Sequence, residues 1–375
     1  MARDSDDSVV WVSASELLFG QQPLTLPVDD LKLTDTINLH ATEVLETVPV
    51  IPLLYEVDVY RSILDRLRGI EDLPGSVIPL AYDWRKDLMD AVRSLDALIL
   101  QLQAQGTKKI SVVAHSLGGL ILSYYLRYGN QDPNTAIETW EGAQRVSSAV
   151  MIGVPFQGVM NSFRNMNYGV TAKLNTSLLT AEAYSSFPSS YFTLPILKGD
   201  RLLTTDLNRL PHMIRVSSNW KAYGWGLLNH QKNLPPTVIE HRAEYMTHWL
   251  DRSRRFLELL NVPKSGSSPS SPPLLYMYGQ GFRTLDHGVL IEKDTEDCLC
   301  LYFDNDKQAQ VIPSIDPDRL YEDGDETVTV RSAALPDAFR GVFHTTMSAY
   351  HVSHTELVKN DEILEALTSF LRAPL

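Results

Sequence analysis

Lys-Ile-Ser-Val-Val-Ala-His-Ser-Leu-Gly-Gly, residues 109–119, is an apolar run followed at once by a turn around a serine. The run predicts a strand over Ile110–Ala114, and the apolar sequence after the turn predicts a helix over Leu120–Tyr128. Small residues on both sides of Ser116 let the helix and the strand approach closely, as a strained turn that projects a serine requires. The same turn directs the N-terminal amides of the helix, which favour negative charge, towards the Ser116 hydroxyl.

Candidates for a base and an acid follow this serine in the order Asp, then His. A serine hydroxyl is a weak nucleophile until a base takes its proton, and an acid must orient that base. Asp325 lies in a Gly-Asp-x-x-Val turn, and His354 lies between a strand-like run and a terminal amphipathic helix. The alternatives are a solvated acidic loop around Asp325 and a capping or core role for His354, with His344 and His351 as rival bases. The ordered trio of Ser116, Asp325 and His354 favours the catalytic interpretation.

Four segments resemble the lecithin:cholesterol acyltransferase-like family of α/β-hydrolases. The first is a Tyr-Asp-Trp-Arg turn that begins at residue 82, and the second is the serine turn, which begins at residue 114. The third is a Gly-Val-Pro-Phe-Gln-Gly segment that begins at residue 153. The fourth is a Tyr-Gly-Gln-Gly-Phe-Arg-Thr segment that begins at residue 278, together with the aspartate and the histidine after it. Together they cover about residues 55–371. The resemblance implies an α/β-hydrolase fold with a mostly parallel central sheet and an inserted, largely helical lid. It also implies acyl transfer from a lipid ester, through an acyl-serine, to water or an alcohol.

The family chemistry gives each candidate residue a role. Ser116 attacks the ester carbonyl, His354 takes its proton, and Asp325 fixes the tautomer of the histidine. The backbone N–H of Leu117 is expected to be one oxyanion donor, and the second donor is unassigned. No metal and no cofactor is implied. Whether water or an alcohol accepts the acyl group is open.

Aromatic side chains near the lid are the candidates for an acyl pocket, because such a pocket must be concave and mostly apolar. The expected lining residues are Tyr82, Trp84, Phe156, Trp220 and Trp225. Core packing is the alternative for the lid aromatics. For the turn at residues 82–85 the alternative is a structural role, with Asp83 capping the helix that follows.

The resemblance also exposes a missing segment. Family members begin with a strand and a glycine-rich loop that supplies the second oxyanion donor, and that strand lies beside the nucleophile strand. Here only Val9–Val12 and Val48–Leu54 are available for that place, and Pro49 and Pro52 argue against the second run. Either the start of the given chain lies downstream of the strand, or the sheet is rebuilt. The alternative function is therefore a hydrolase-fold protein with weakened or lost catalysis that acts as a lipid-binding or interaction module.

Changes in composition divide the chain into four parts. We expect the first part of the hydrolase core over residues 1–153, a helical lid over 154–262, a flexible Pro- and Ser-rich linker over 263–273, and the second part of the core over 274–375.

Within the core the predicted helices are Tyr55–Leu67 and Arg85–Gln105, and the predicted strands include a buried one at Val77–Ala81. Further strands are expected at Ser148–Ile152, from Leu274 onward and at 341–344, and a hairpin from Val289–Glu292 and Cys298–Phe303.

Composition limits the partners and the compartment. A chain of 375 residues with 44% hydrophobic residues is long enough for one large α/β domain with a lid. The net charge of −13 argues against nucleic acid and against tight docking on anionic membranes. A transient contact of the lid with a lipid surface is a separate expectation. The substrate is expected to be a lipid or another ester, and the oligomeric state is open.

No run approaches the about 20 apolar residues of a spanning helix, and the acidic N-terminus lacks the apolar stretch of a signal peptide. The expected location is the cytoplasm. Secretion stays open if the given chain starts downstream of the natural N-terminus. Cys298 and Cys300 lie two residues apart, too far for a normal disulfide, so a fold independent of disulfides is expected.

Overall fold

The structure is a computed structural model, and every structural statement below concerns the residues that it describes. These are residues 2–3, 24–28, 39–51, 55–70, 76–170, 179–196, 201–211, 213–229, 234–265, 271–291, 301–303, 315–340 and 342–373.

The described chain alternates strands and helices. In chain order the strands are β1 (Ala2–Arg3), β2 (Leu39–His40), β3 (Thr47–Ile51), β4 (Tyr55–Asp58), β5 (Ser111–His115), β6 (Ser148–Ile152), β7 (Leu202–Leu203), β8 (Arg209–Leu210), β9 (Leu274–Gly279), β10 (Phe282–Leu285), β11 (Gly288–Leu290), β12 (Leu301–Tyr302), β13 (Tyr321–Gly324) and β14 (Thr345–Tyr350). The α-helices are α1 (Arg61–Arg68), α2 (Leu88–Ala104), α3 (Leu117–Tyr128), α4 (Glu141–Arg145), α5 (Met160–Tyr168), α6 (Ala181–Ser186), α7 (Pro188–Phe192), α8 (Ser217–Tyr223), α9 (Pro236–Asn261), α10 (Asp337–Arg340) and α11 (Asp361–Arg372). Short 3₁₀ turns cover Gly226–Leu228 and Pro317–Leu320.

A parallel sheet of four strands, in the order β14–β9–β6–β5, forms the centre of the molecule. Successive side chains of a strand point to opposite faces, and β6 shows this clearly. Ala149 and Met151 pack into the apolar core that includes helices α2 and α3, whereas Val150 and Ile152 pack into the core that includes α11. Helices therefore cover both faces of a mostly parallel sheet, as the sequence predicts.

Strand β5 lies at an edge of this sheet. It pairs with β6 on one side, and no described strand pairs with it on the other. The prediction of a buried strand at Val77–Ala81 is wrong, because no strand is assigned there and Ile78 is 45% exposed. A strand needs a hydrogen-bonding neighbour, and between Val77–Ala81 and β5 the described residues provide none.

Of the two runs considered for the place beside β5, the described one lies elsewhere. Val48–Leu54 contributes to β3, which pairs antiparallel with β4 in a separate two-stranded sheet. The other run, Val9–Val12, lies outside the described residues. The predicted helix at Tyr55–Leu67 is partly wrong, since its first turn is strand β4 and the helix, α1, begins at Arg61.

Two further boundaries differ from the predicted ones for local reasons. Helix α2 begins at Leu88 and not at Arg85, because the Asp87 carboxylate caps it by accepting a hydrogen bond from the Met89 N–H at 3.1 Å. The strand expected at 341–344 begins at Thr345 instead, where β14 pairs with β9.

The segment between β6 and β9 contains helices α5 to α9 and the short strands β7 and β8. Strand β7 pairs parallel with β11, so this segment and the second part of the core share a sheet in the order β12–β11–β7–β8. The predicted hairpin is confirmed where it is described, as the antiparallel pair β11 and β12. Cys298, Cys300 and the middle of the predicted linker, 266–270, lie outside the described residues. That residues 154–262 act as a lid stays a prediction.

A buried arginine ties the end of the long helix α9 to the core. The Arg127 side chain is fully buried in α3 and donates to the carbonyl oxygens of Leu259 and Val262, each at 2.9 Å. It also pairs with Glu138 at 3.0 Å. These bonds supply donors to carbonyl groups that a helix leaves without N–H partners at its C-terminus. None of the described helices, α9 included, combines the length and the apolar character needed to cross a bilayer.

Candidate active site

Ser116 occupies a strained turn between β5 and α3. Its φ of 52° and ψ of −120° are unusual for a residue with a side chain, and its N–H donates to the Ile152 carbonyl at 2.8 Å. Gly119 permits this turn, since a Cβ atom there would lie 2.1 Å from Val154 Cγ2. At Gly118 the nearest atom to such a Cβ is 3.8 Å away, so only one of the two glycines is required by packing. The helix begins directly at Leu117, three residues earlier than predicted.

The three residues proposed from the sequence come together. His354 Nε2 lies 2.9 Å from Ser116 Oγ, and His354 Nδ1 lies 2.8 Å from Asp325 Oδ2. One imidazole therefore bridges the hydroxyl and the carboxylate through both of its ring nitrogens. Asp325 is 1% exposed and His354 8% exposed, so the interpretation of Asp325 as a solvated loop residue does not agree with its position.

The backbone around Asp325 holds its carboxylate in one orientation. The N–H groups of Thr327 and Val328 donate to Oδ1 at 3.0 and 2.6 Å, which leaves Oδ2 for the histidine. The Asp325 carbonyl also accepts a hydrogen bond from the His354 N–H at 2.8 Å. The acidic turn and the histidine loop are thus joined by a backbone and a side-chain contact.

Two glycines that sequence reasoning did not single out lie against these residues. A Cβ atom on Gly153, whose φ is +59°, would lie 3.2 Å from His354 Cε1 and 2.8 Å from Leu357 Cδ1. A Cβ atom on Gly279 would lie 2.6 Å from the Asp325 Cβ. Both glycines directly follow predicted strands, and this position can be read from the sequence. Their contacts with the distant loops that hold Asp325 and His354 cannot.

The rival histidines lie elsewhere. His344 is exposed, and the ring of His351 stacks on Phe282 with centroids 4.7 Å apart. Leu117 is the first residue of α3, so its N–H is one of the first-turn amides without an acceptor inside the helix. That position suits the oxyanion role predicted for it. A second backbone donor for the oxyanion remains unassigned among the described residues.

His115 adjoins the candidate base, and Tyr60 contacts His115 from a separate part of the chain. The sequence did not indicate that Tyr60 lies near the candidate site. The Tyr60 hydroxyl lies 3.1 Å from His115 Nδ1, and the rings of His115 and His354 have centroids 4.9 Å apart. Burial, and then the charge of His354, lowers the pKa of His115 to about 3. Burial raises the pKa of Tyr60, so that hydroxyl stays protonated. No spacing in the sequence links Tyr60 with His115, because the contact joins separate elements.

The turn at residues 82–85 contains a buried ion pair. The Arg85 guanidinium is fully buried and donates to both oxygens of Asp83, at 2.9 and 2.7 Å. The structural interpretation of this turn is supported, although Asp83 pairs with Arg85 and does not cap α2. Burial raises the pKa of Tyr82, and Trp84 is half-buried with its ring edge-on to Phe187 at 5.3 Å. Substrate contact by Tyr82 and Trp84 stays a prediction.

The predicted pocket aromatics of the inserted segment are fully buried. Trp220 and Trp225 pack edge-on against Phe163, with centroids 5.6 and 5.0 Å apart, and Phe156 packs against Tyr276 at 5.8 Å. This arrangement is typical of core packing. A role of these three residues in lining an acyl pocket stays a prediction.

A group of ionisable side chains lies at the corner between β10 and β11. Asp286, His287 and Glu322 bring one potential ligand atom each to within 4.8 Å of one another. The Asp286 carboxylate, however, already pairs with the guanidinium groups of Arg201 and Arg331. Its negative charge is compensated by two cations, so the arrangement favours an ion-pair network over a metal site.

Comparisons with known proteins agree with the resemblance. The family model described as lecithin:cholesterol acyltransferase matches residues 38–365. Among curated proteins, phospholipase A(1) LCAT3 of Arabidopsis thaliana is 21% identical over 381 residues, which span 93% of this chain and 78% of the relative.

Solved structures are similar at lower levels of identity. The Tle4-Tli4 complex matches 84% of this chain and 74% of the solved chain, at 12% identity and a TM-score of 0.48. The match to the mature lipase BlEst2 of Bacillus licheniformis covers 76% of this chain and 75% of the solved chain, at 13% identity and a TM-score of 0.32. With a family model matched over most of its length, the chain belongs to the lecithin:cholesterol acyltransferase family and is an acyl hydrolase or acyltransferase with the α/β-hydrolase fold.

Proposed function

We propose that Ser116, His354 and Asp325 form the catalytic triad of a serine-dependent acyl transfer from a lipid or another carboxylic ester. The observation that carries this proposal is the double contact of one imidazole, 2.9 Å to the hydroxyl and 2.8 Å to the carboxylate. An imidazole held in this way can take the hydroxyl proton and then carry the positive charge beside a fixed carboxylate.

In the first half of the reaction Ser116 Oγ bonds to the ester carbonyl carbon while its proton passes to His354 Nε2. The carbonyl oxygen becomes an oxyanion, and the imidazolium is stabilised by Asp325. When the tetrahedral intermediate collapses, the bond from carbon to the alcohol oxygen breaks. The leaving alcohol takes the proton from Nε2, and the acyl group stays on Ser116.

In the second half an acceptor hydroxyl, from water or an alcohol, gives its proton to Nε2 and attacks the acyl-serine. Collapse of the second tetrahedral intermediate returns that proton to Ser116 Oγ and releases an acid or a new ester. The Leu117 N–H, at the N-terminus of α3, is the proposed donor to the oxyanion in both halves. Removal of one oxyanion donor costs about 10²–10³ in turnover, so the number of donors is important for the rate.

A phospholipid is the first donor to test, because the Arabidopsis relative carries the name phospholipase A(1). We propose that residues 154–262 form a lid that touches the lipid surface transiently. Val216 and Tyr223, 41% and 36% exposed, are apolar positions of this segment that such a surface would cover. Tyr82, Trp84, Phe156, Trp220 and Trp225 remain the proposed lining of the acyl pocket, which for the buried rings requires the segment to move.

A fluorophosphonate probe and an ester assay test the proposal together. Wild-type protein should be labelled on Ser116 and should release fatty acid from phosphatidylcholine or from a short aryl ester. Ser116→Ala should abolish labelling, and Asp325→Asn should lower kcat by about 10⁴-fold, because the wrong histidine tautomer is then favoured. Circular dichroism checks that each variant is folded. The triad is rejected if folded wild-type protein is neither labelled nor active.

One observation favours a second candidate, a lipid-binding or interaction module with weakened or lost catalysis. Within the described part of the chain β5 has a partner on one side only, and a second oxyanion donor is not assigned. Binding of the folded protein to phosphatidylcholine vesicles, without labelling and without ester cleavage, would support this module. Labelling that disappears in Ser116→Ala would exclude it.

A further inference from the structure

We propose that Tyr60 and His115 form a buried support for the candidate base: Tyr60 holds His115 in one neutral tautomer, and that ring fixes the orientation of His354. The inference rests on the proposed function of the triad and adds two positioning residues to it. Neither residue touches the substrate in this proposal, since both act through His354.

The contacts place His115 between the tyrosine and the candidate base. The Tyr60 hydroxyl lies 3.1 Å from Nδ1 of His115, with the two rings edge-on at 5.8 Å. On the other side the His354 ring is tilted by 36° at a centroid distance of 4.9 Å. Tyr60 follows β4, His115 ends β5, and His354 follows β14, so three separate parts of the fold meet at this ring.

The direction of the hydrogen bond between Tyr60 and His115 defines the tautomer in this proposal. A protonated phenol can donate to an imidazole nitrogen or accept from one. Here the Tyr60 hydroxyl donates, so that Nδ1 is the acceptor and the ring proton sits on Nε2. Nε2 is buried and has no hydrogen-bond partner among the described residues. A buried nitrogen without a partner in a folded protein needs an explanation, and a role at a functional site is one of those.

Neutrality of His115 is important because His354 becomes positive during each half of the proposed reaction. Two imidazolium rings this close would repel each other and oppose proton transfer from Ser116. The titratable groups that contact the His115 ring in the described structure are Tyr60 and His354, and Tyr60 in turn interacts electrostatically with Tyr82. The Tyr60 hydroxyl occupies Nδ1 and so opposes a proton there, which keeps the charge on His354.

The first test removes the hydroxyl that sets the tautomer. In Tyr60→Phe we expect kcat to fall about tenfold with KM within about twofold, since a loosened base affects the chemical step and not binding. Tyr128→Phe is the matched control, because it deletes another buried hydroxyl, which bonds the Leu259 carbonyl at 2.8 Å. This control should lose stability and keep its kcat. An unchanged kcat in Tyr60→Phe would overturn the proposal.

Nitrogen NMR of histidine-labelled protein gives a readout that is independent of activity. Wild-type His115 should show the single Nε2–H tautomer across the pH range of the measurement. Tyr60→Phe should give a mixture of tautomers for His115. A His115 ring that carries its proton on Nδ1, or that is unaffected by the loss of the hydroxyl, would overturn the proposal even in a fully active enzyme.

Two substitutions of His115 separate the acceptor from the volume of the side chain. His115→Asn keeps an acceptor near the place of Nδ1, and His115→Leu removes it at similar size. The His115→Asn variant should retain a higher kcat than the His115→Leu variant. Tyr60→Phe should lower kcat in the wild-type background and should cause no further loss in the His115→Leu background. Equal kcat for Asn and Leu, or additive losses, would argue for a merely structural role. If wild-type protein neither labels nor cleaves esters, the proposed function fails, while the NMR result still decides the tautomer.

Discussion

At the scale of the residue, Gly153 controls how close strand β6 comes to the candidate base. Its φ is positive, and the space that a side chain would need is filled by His354 and Leu357. A methyl group at this position therefore combines backbone strain with displacement of the imidazole.

Gly153→Ala should lower kcat/KM by tenfold or more, since about 1 Å of misplacement is enough for a loss of up to about 10²-fold. Gly106→Ala is the control, because Gly106 has a φ of +89° but nothing within 4 Å of the added methyl group. Steady-state kinetics should show full activity for this control, which loses thermal stability through backbone strain alone. Equal activity of both variants would mean that the contact with His354 does not matter.

The low pKa of His115 makes the folded state sensitive to acid. Burial, and then the charge of His354, lowers that pKa to about 3, whereas a histidine in the unfolded chain titrates near about 6.5. Between these values the unfolded state binds the additional proton. The contribution of His115 to the free energy of unfolding is therefore complete above about pH 6.5, and it falls by up to about 1.4 kcal/mol per pH unit as the pH drops towards 3.

Urea unfolding at about pH 7 and about pH 5 measures this effect. The loss of stability should be smaller in His115→Asn than in the wild type, because the variant has no proton to gain at this position. His248 and His287, whose pKa values burial also lowers, account for part of the slope that remains. The same slope in both proteins would contradict the assignment to His115.

At the level of the elements, β5 leads directly into Ser116 and pairs with a strand on one side only among the described residues. The Ser116 N–H points to β6, and N–H groups alternate along a strand, so those of Val113 and His115 point away from β6. No described strand accepts them.

Hydrogen exchange should therefore alternate along β5. Amides of Val112 and Ala114, which face β6, should exchange slowly, and those of Val113 and His115 should exchange faster. The buried strand β6 provides the reference for slow exchange. Equally slow exchange at all four positions would show that another part of the protein covers this edge in solution.

At the scale of the whole molecule, Arg127 joins the core to the inserted segment. Its guanidinium is fully buried and is shared between Glu138 and carbonyl groups at the end of α9. Removal of one partner of such a pair leaves a buried charge and several carbonyls without compensation.

Arg127→Met should lower the free energy of unfolding by about 3–5 kcal/mol, without a change in kcat of the protein that stays folded. Arg254→Met provides the matched control on α9, where a side chain that is 42% exposed pairs with Asp251 and Glu258. Its loss should cost less than about 1 kcal/mol. Urea denaturation compares the two, and a similar cost for both would mean that Arg127 does not tie α9 to the core.

Local sequence was sufficient for the serine turn, for strand β6 and for the start of strand β9. The turn around Ser116 needs small neighbours, and a short apolar run bounded by polar segments is typical of a buried strand of a parallel sheet. The order of Ser116, Asp325 and His354 was also readable, because chain order is a property of the sequence alone.

Tertiary structure decided the rest, because the deciding contacts join residues far apart in the chain. Val77–Ala81 is mostly apolar, but Pro79 in its middle has no N–H to give to a neighbouring strand, which is a local signal against a central strand. Strand formation also depends on a neighbour, which the run itself does not encode. The burial of Trp220 and Trp225 against Phe163, and the meeting of Tyr60, His115 and His354 at one ring, likewise arise only when separate elements pack. Residue types and their order name the groups that can react, and packing brings those groups within reach of each other, because no local pattern fixes a contact between distant parts of the chain.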